Sequence, residues 1–113
     1  MHRDETTLLD IGEASRQIQK FTEGITKEEF IKDPKTQSAV LHQLLITGEA
    51  TKRLSQEFRA QHPDIPWQVI ASMRDILIHA YNDVDLYEVW KTVSVDVPDL
   101  LKKIEHFLPN QSK

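Results

Sequence analysis

Apolar side chains return every three or four positions along almost the whole chain, and few residues interrupt them. Leu8, Ile11, Ala14, Ile18, Phe21 and Ile25 form one stripe of an amphipathic helix, with Gly24 placed to end it. Thr26-Lys27-Glu28-Glu29 has the form of a capping box and predicts a short helical turn through Phe30. Asp33-Pro34 is a start signal, Asp as N-cap and Pro at the first helical position. From there Val40, Leu41, Leu44, Leu45, Gly48, Thr51, Leu54 and Phe58 keep helical period to about Ala60. His62-Pro63 stops this helix, because the residue before a proline is pushed out of the helical region. Ile65-Pro66-Trp67 begins the third helix, carrying Ile70, Met73, Arg74, Leu77 and Tyr81 on adjoining rows, and Asn82-Asp83 marks its end. Asp85 opens a fourth helix with Leu86, Val89, Trp90 and Val93 as its buried row. Val95-Asp96-Val97-Pro98 is read as an interruption, and Leu100, Leu101, Ile104, Phe107 and Leu108 as a last amphipathic helix before a tail, 110–113.

The expectation is an all-α fold: one domain over residues 1–113, a compact antiparallel bundle of four main helices plus a short C-terminal one. The helices are placed at about 4–24, 34–61, 66–81, 85–95 and 98–108. Three glycines and five well-separated prolines suit long helices better than a sheet with many turns. There is no cysteine, so neither disulfides nor thiolate metal sites are available. The start has no apolar signal-peptide core, and no apolar run approaches the ~20 residues that span a bilayer, so a cytoplasmic protein with no membrane partner is expected. A net charge of −4 argues against a broad nucleic-acid-binding face. Any RNA contact must come from a local cluster such as Lys52, Arg53, Arg59 and Arg74.

Within the third helix, Arg74-x4-His79-x-Tyr81 places three groups that a core helix does not need. An imidazole exchanges protons near neutral pH, a guanidinium fork suits phosphate, and a phenol can stack or act as a nucleophile. At ~100° per residue, Tyr81 falls on nearly the same face as Arg74, about 10 Å along, while His79 lies roughly 140° around. An unbroken helix therefore does not bring Arg74 and His79 together. Either the helix unwinds near Ile78, or a second chain completes the site, as two such helices meeting about a two-fold axis would do. Asp75, four residues before His79, is its helical neighbour and is expected to hold one ring nitrogen. The chemistry that suits arginine plus histidine without a metal cage is RNA phosphodiester cleavage: the 2′-hydroxyl attacks phosphorus, histidine moves the proton, and arginine neutralises the phosphorane. No carboxylate cluster for two-metal catalysis is evident, and His79-x3-Asp83-x-Asp85 falls across a turn without a second histidine; neither metal nor cofactor is expected.

Plainer readings exist for each residue. His79 and Tyr81 fit a helix C-terminal cap and a packed aromatic. Lys52, Arg53 and Arg59 fit a solvated face, and Trp67 and Trp90 fit core anchors. Glu49 either faces solvent or, beside Gly48, points into a dimer cleft. Gly48 and Ala50 in mid-helix let another helix come close, at a cost of ~1 kcal/mol in helix propensity for the glycine.

At Arg74-Asp75-Ile76-Leu77-Ile78-His79-Ala80-Tyr81 the chain resembles the HEPN superfamily, and most closely its HepT-like branch, the toxins of HEPN/minimal-nucleotidyltransferase toxin–antitoxin pairs. Gly48-Glu49-Ala50, Pro63-Asp64-Ile65-Pro66-Trp67, Val84-Asp85-Leu86-Tyr87-Glu88-Val89-Trp90 and Pro98-Asp99-Leu100 read like the same pattern, which extends from about Leu8 to Leu108. The resemblance implies a homodimeric helical bundle whose two motifs line one cleft, acting as a metal-independent RNase on tRNA or mRNA in a type VII-like pair. It implies Arg74 and His79 as the catalytic pair. Alongside it, Asp75 and Glu49 are expected in support, and Arg74, Tyr81 and, from the local charge cluster, Lys52 and Arg53 as RNA contacts. Tyr81 would accept AMP from a cognate nucleotidyltransferase antitoxin, silencing the toxin. Asp75 stands where the family usually has Asn, and its carboxylate adds repulsion toward phosphate. The rival expectation is a non-catalytic adaptor that binds a nucleotidyltransferase or a nucleotide.

Overall fold

The computed structural model describes residues 2–108, so the tail at 110–113 lies outside the described residues. Among the described residues seven α-helices follow in order: α1 (His2–Phe21), α2 (Lys27–Ile31), α3 (Pro34–Arg53), α4 (Gln56–Gln61), α5 (Trp67–His79), α6 (Leu86–Lys91) and α7 (Val97–Ile104). Among the described residues there is no strand, and no helix is long and apolar enough to cross a membrane. The 20-residue helix α3 is the spine: α1 packs along one side and α5 along another, while α7 closes over α1. Ile11 and Ile18 of α1, Phe30 of α2, Val40 and Leu44 of α3, Ile70 of α5, Val89 of α6 and Leu100 and Ile104 of α7 meet in one continuous core, each almost wholly removed from solvent.

Local chemistry sets several ends. Gly24, at φ +77°, turns the chain after α1 in a conformation that costs glycine little. The Thr26 hydroxyl accepts from the Glu29 amide while the Glu29 carboxylate accepts from the Thr26 amide, completing a capping box at α2. Asp33 caps α3 by accepting the Thr36 amide and hydroxyl, which hold its carboxyl below the usual range.

The first helix ends at Phe21 rather than 24, where Gly24 turns the chain, and the last gives way to a 3₁₀ turn after Ile104; three further departures from the expected helices are larger. The helix expected over 34–61 is broken in two, because Leu54 and Ser55 are both extended, at ψ 144° and 148°. Asp4, buried on α1, accepts the Ser55 amide at 3.1 Å and the Ser55 hydroxyl at 2.8 Å. Ser55 then caps α4 by accepting the Phe58 amide. The partner that draws the backbone out is 51 residues away, and apolar spacing carries no trace of it.

The helix expected over 66–81 ends at His79; Ala80 leaves the helical region at φ −143°, ψ 43°, and Tyr81–Asp83 form a separate 3₁₀ turn. The expected interruption at Val95–Pro98 is absent. A single π turn, Thr92–Asp96, joins α6 to α7, with the Val97 amide donating to the Thr92 carbonyl. Proline lacks an amide and clashes with the carbonyl four residues back. The wider π turn absorbs one extra residue, and Pro98 falls in the first turn of α7, where no amide is needed. Val89, Val93, Val97, Leu100, Leu101 and Ile104 thereby form an unbroken buried row.

Candidate active site at the crossing of α3 and α5

Gly48 sets the geometry. A Cβ built on it would overlap the Cβ of Arg74 and lie 3.1 Å from the Ile70 carbonyl oxygen, so α3 and α5 cross at backbone distance there. The contact places Glu49, one residue on, beside the guanidinium of Arg74. One Glu49 oxygen, Oε2, accepts Arg74 Nε–H at 3.0 Å and Nη2–H at 2.8 Å. Glu49 takes a half-exposed position anchoring the arginine from α3.

Asp75 completes the other side. Its Oδ1 accepts Arg74 Nη1–H at 2.9 Å and, at 3.0 Å, the ammonium of Lys52 from α3. Lys52 and then Arg74 hold the Asp75 carboxyl below the usual carboxylate range; Asp75 and then Glu49 raise the guanidinium further above its ordinary value. A guanidinium carries five N–H donors. Glu49 and Asp75 occupy three of Arg74's, and among the described residues the other two have no partner. With the side chain three-quarters buried, the fork is held in place rather than sweeping the surface.

Asp75 is therefore turned toward Lys52 and Arg74, not toward His79 as the four-residue spacing suggests, because two cations outbid a ring nitrogen for its oxygen. The His79 imidazole ends α5 exposed and, among the described residues, without a hydrogen-bond or ion-pair partner. It lies roughly 140° around the helix from Arg74, so within one chain the two do not share a face. Tyr81 does not continue Arg74's face either: the turn at Ala80 takes it off the helix, and it is exposed.

The basic cluster expected on α3 and α4 is divided. Lys52 joins the Arg74 network, Arg53 is drawn to Asp10 on α1 at 3.5 Å, and Arg59 sits on α4 beyond the break. Trp67 is buried and donates its indole N–H to the His62 carbonyl, whereas Trp90 is half-buried against Phe30. Among the described residues no three His, Cys, Asp or Glu side chains converge as metal ligands would. The link that the sequence reading missed is Lys52–Asp75. Its only signal is the pair of Glu49 and Lys52, three apart on one helix, opposite adjacent Arg74 and Asp75 on another.

A family model described as "Ribonuclease HepT-like" matches residues 11–107. A Thermococcus cleftensis protein named "Probable ribonuclease HepT" is 49% identical, over 92% of this chain and 93% of its own length. A Methanocaldococcus jannaschii protein named "Putative RNase MJ0127" is 41% identical, over 89% of this chain and 84% of its own. No solved structure matches. The α3–α5 crossing with Arg74 and His79 on α5 lies inside the matched span, and the chain belongs to the HepT-like family of the HEPN superfamily.

Proposed function

We propose that the protein is a metal-independent endoribonuclease, the toxin of a type VII-like toxin–antitoxin pair, working as a two-fold homodimer in the cytoplasm on tRNA or mRNA. The observation that carries this reading is the Arg74 guanidinium: clamped at the α3–α5 crossing, it still has two N–H donors to offer to a phosphate. Five residues on, the His79 imidazole is exposed and, among the described residues, unpartnered. In the reaction the ribose 2′-oxygen bonds to the adjacent phosphorus and the bond to the 5′-oxygen breaks. The proton leaving the 2′-hydroxyl and the proton gained by the 5′-oxygen pass by way of histidine. Arg74 neutralises charge on the phosphorane, leaving a 2′,3′-cyclic phosphate and a 5′-hydroxyl.

Since Arg74 and His79 diverge on one helix, the second protomer supplies the complementary pair, with exposed Ile78, about 40° around α5 from Arg74, as apolar surface available to such a contact. Tyr81 stacks on RNA and accepts AMP from a cognate nucleotidyltransferase antitoxin; the added bulk and negative charge oppose RNA phosphate. Arg53 provides a basic margin on α3, and Lys52, bound to Asp75, adds its charge to the same helix. Glu49 and, before RNA binds, Asp75 hold the arginine in place.

One observation favours the rival, a non-catalytic adaptor that binds a nucleotidyltransferase or a nucleotide: three of the five Arg74 donors are already taken by carboxylates. Expression without a nucleotidyltransferase separates the two. The toxin reading predicts growth arrest with RNA decay, relieved by His79→Ala at equal protein level. Normal growth at high level, with RNA intact, refutes it.

A further inference from the structure

We infer that Lys52 is a positioning residue that acts on Arg74 through Asp75, keeping the guanidinium available to a phosphate, rather than a phosphate contact itself. The inference rests on the ribonuclease reading of the same site.

Lys52 and Arg74 donate to one and the same oxygen, Asp75 Oδ1, at 3.0 and 2.9 Å. Two carboxylates face a single guanidinium, Glu49 from α3 and Asp75 from α5. That trio has one negative charge in excess, and an approaching phosphate would meet repulsion and a guanidinium with two competing anions. The Lys52 ammonium brings the cluster to neutrality and offers Asp75 a second cation. When phosphate arrives, Asp75 can shift from Arg74 Nη1 to Lys52 and leave that N–H to the ligand, while Glu49 keeps hold of Nε and Nη2 and the planar fork stays where it is. The Asp75 carboxylate then stays paired instead of facing the phosphate. Glu49 and Lys52, three residues apart, stand on the same side of α3 and so divide the work: one fixes the arginine, the other holds its competitor.

The test is a double-mutant cycle with Lys52→Gln, Asp75→Asn and both, using inorganic phosphate followed at the Arg74 Nε–H resonance and cleavage of a defined oligoribonucleotide. Circular dichroism checks that each variant keeps its helices. Lys52→Gln is expected to weaken phosphate binding at Arg74 about tenfold, between the bulk-water and low-dielectric limits for a lost charge contact at this range. It should lower kcat/KM by a similar factor. With Asp75→Asn already present, the same change should cost less than about twofold, since the anion it compensates is gone. Lys52→Arg should restore binding. Equal loss in both backgrounds would assign Lys52 to the phosphate and overturn the inference, as would no loss in either or no phosphate response at Arg74 in the unaltered protein. RNA left uncut while the phosphate cycle shows this coupling defeats the ribonuclease reading and leaves the role of Lys52 standing. RNA cut without that coupling does the reverse.

Discussion

Gly48→Ala adds one methyl group where α3 and α5 touch. The new carbon would overlap Arg74 Cβ, with Arg74 Cγ at 3.0 Å and the Ile70 carbonyl oxygen at 3.1 Å. Ordinary carbon contacts need about 3.5–4.0 Å. A Cβ and a carbonyl oxygen are fixed to their backbone and cannot swing away as a side-chain tip can, so the helices must part by something like 1 Å. Overpacking costs about 1–3 kcal/mol, and a clash between two carbons that are both fixed to their backbones lies in the upper half of that range, while alanine recovers ~1 kcal/mol of helix propensity. The net expectation is a loss of about 1–2 kcal/mol, which in a domain near this size lowers Tm by roughly 4–10 °C. Because Glu49 follows Gly48, the same displacement pulls the carboxylate from the guanidinium, and RNA cleavage should fall further than stability alone explains. Gly12→Ala is the control. Its Cβ would meet the Cδ1 of Leu108 at 3.0 Å, the tip of a movable side chain, so Tm should hold or rise slightly. Thermal unfolding followed at 222 nm measures both. Equal Tm values for Gly48→Ala and the unaltered protein would refute the backbone-distance crossing on which the site depends.

Asp4→Ala removes the acceptor for the Ser55 amide and hydroxyl, and the unpaired groups should cost about 1–3 kcal/mol in urea unfolding. Asp96, in the π turn, has its carboxyl raised above the ordinary 3.8, first by burial. The penalty is absent below that ordinary value, where the group is protonated in both states, and grows as pH rises through the raised folded value. Asp96→Asn should accordingly raise Tm at pH 7 and leave it unchanged near pH 3; a lowered Tm at pH 7 would contradict the desolvation argument. Incubation with a nucleotidyltransferase partner and ATP should add AMP mass to the protein but not to Tyr81→Phe, and a gain that persists in the variant moves the acceptor elsewhere.

The helical class was legible because apolar spacing at Leu8 through Ile18 and Val40 through Leu44 reports burial directly, and because Thr26, Asp33 and Asp85 carry their capping chemistry in neighbouring residues. Gly48 likewise announced a close approach. The break at Ser55 was not legible, since a serine in a helical pattern is neutral until Asp4 arrives from the far end of the chain. Pro98 reads as a stop, and only the π turn before it lets the helix continue. At the site, Arg74, His79 and Tyr81 were visible as a spacing. Their directions depended on the turn at Ala80 and on which cation wins Asp75, both of which are tertiary outcomes.

The ribonuclease claim is tested most directly by incubating the purified protein with RNA and EDTA and identifying the new ends. Cleavage should proceed with the chelator present and leave 2′,3′-cyclic phosphate and 5′-hydroxyl termini. Arg74→Ala and His79→Ala, folded as the unaltered protein, should each cut at least about a hundredfold more slowly. Cleavage by His79→Ala at the unaltered rate, or cutting that EDTA abolishes, would contradict the account.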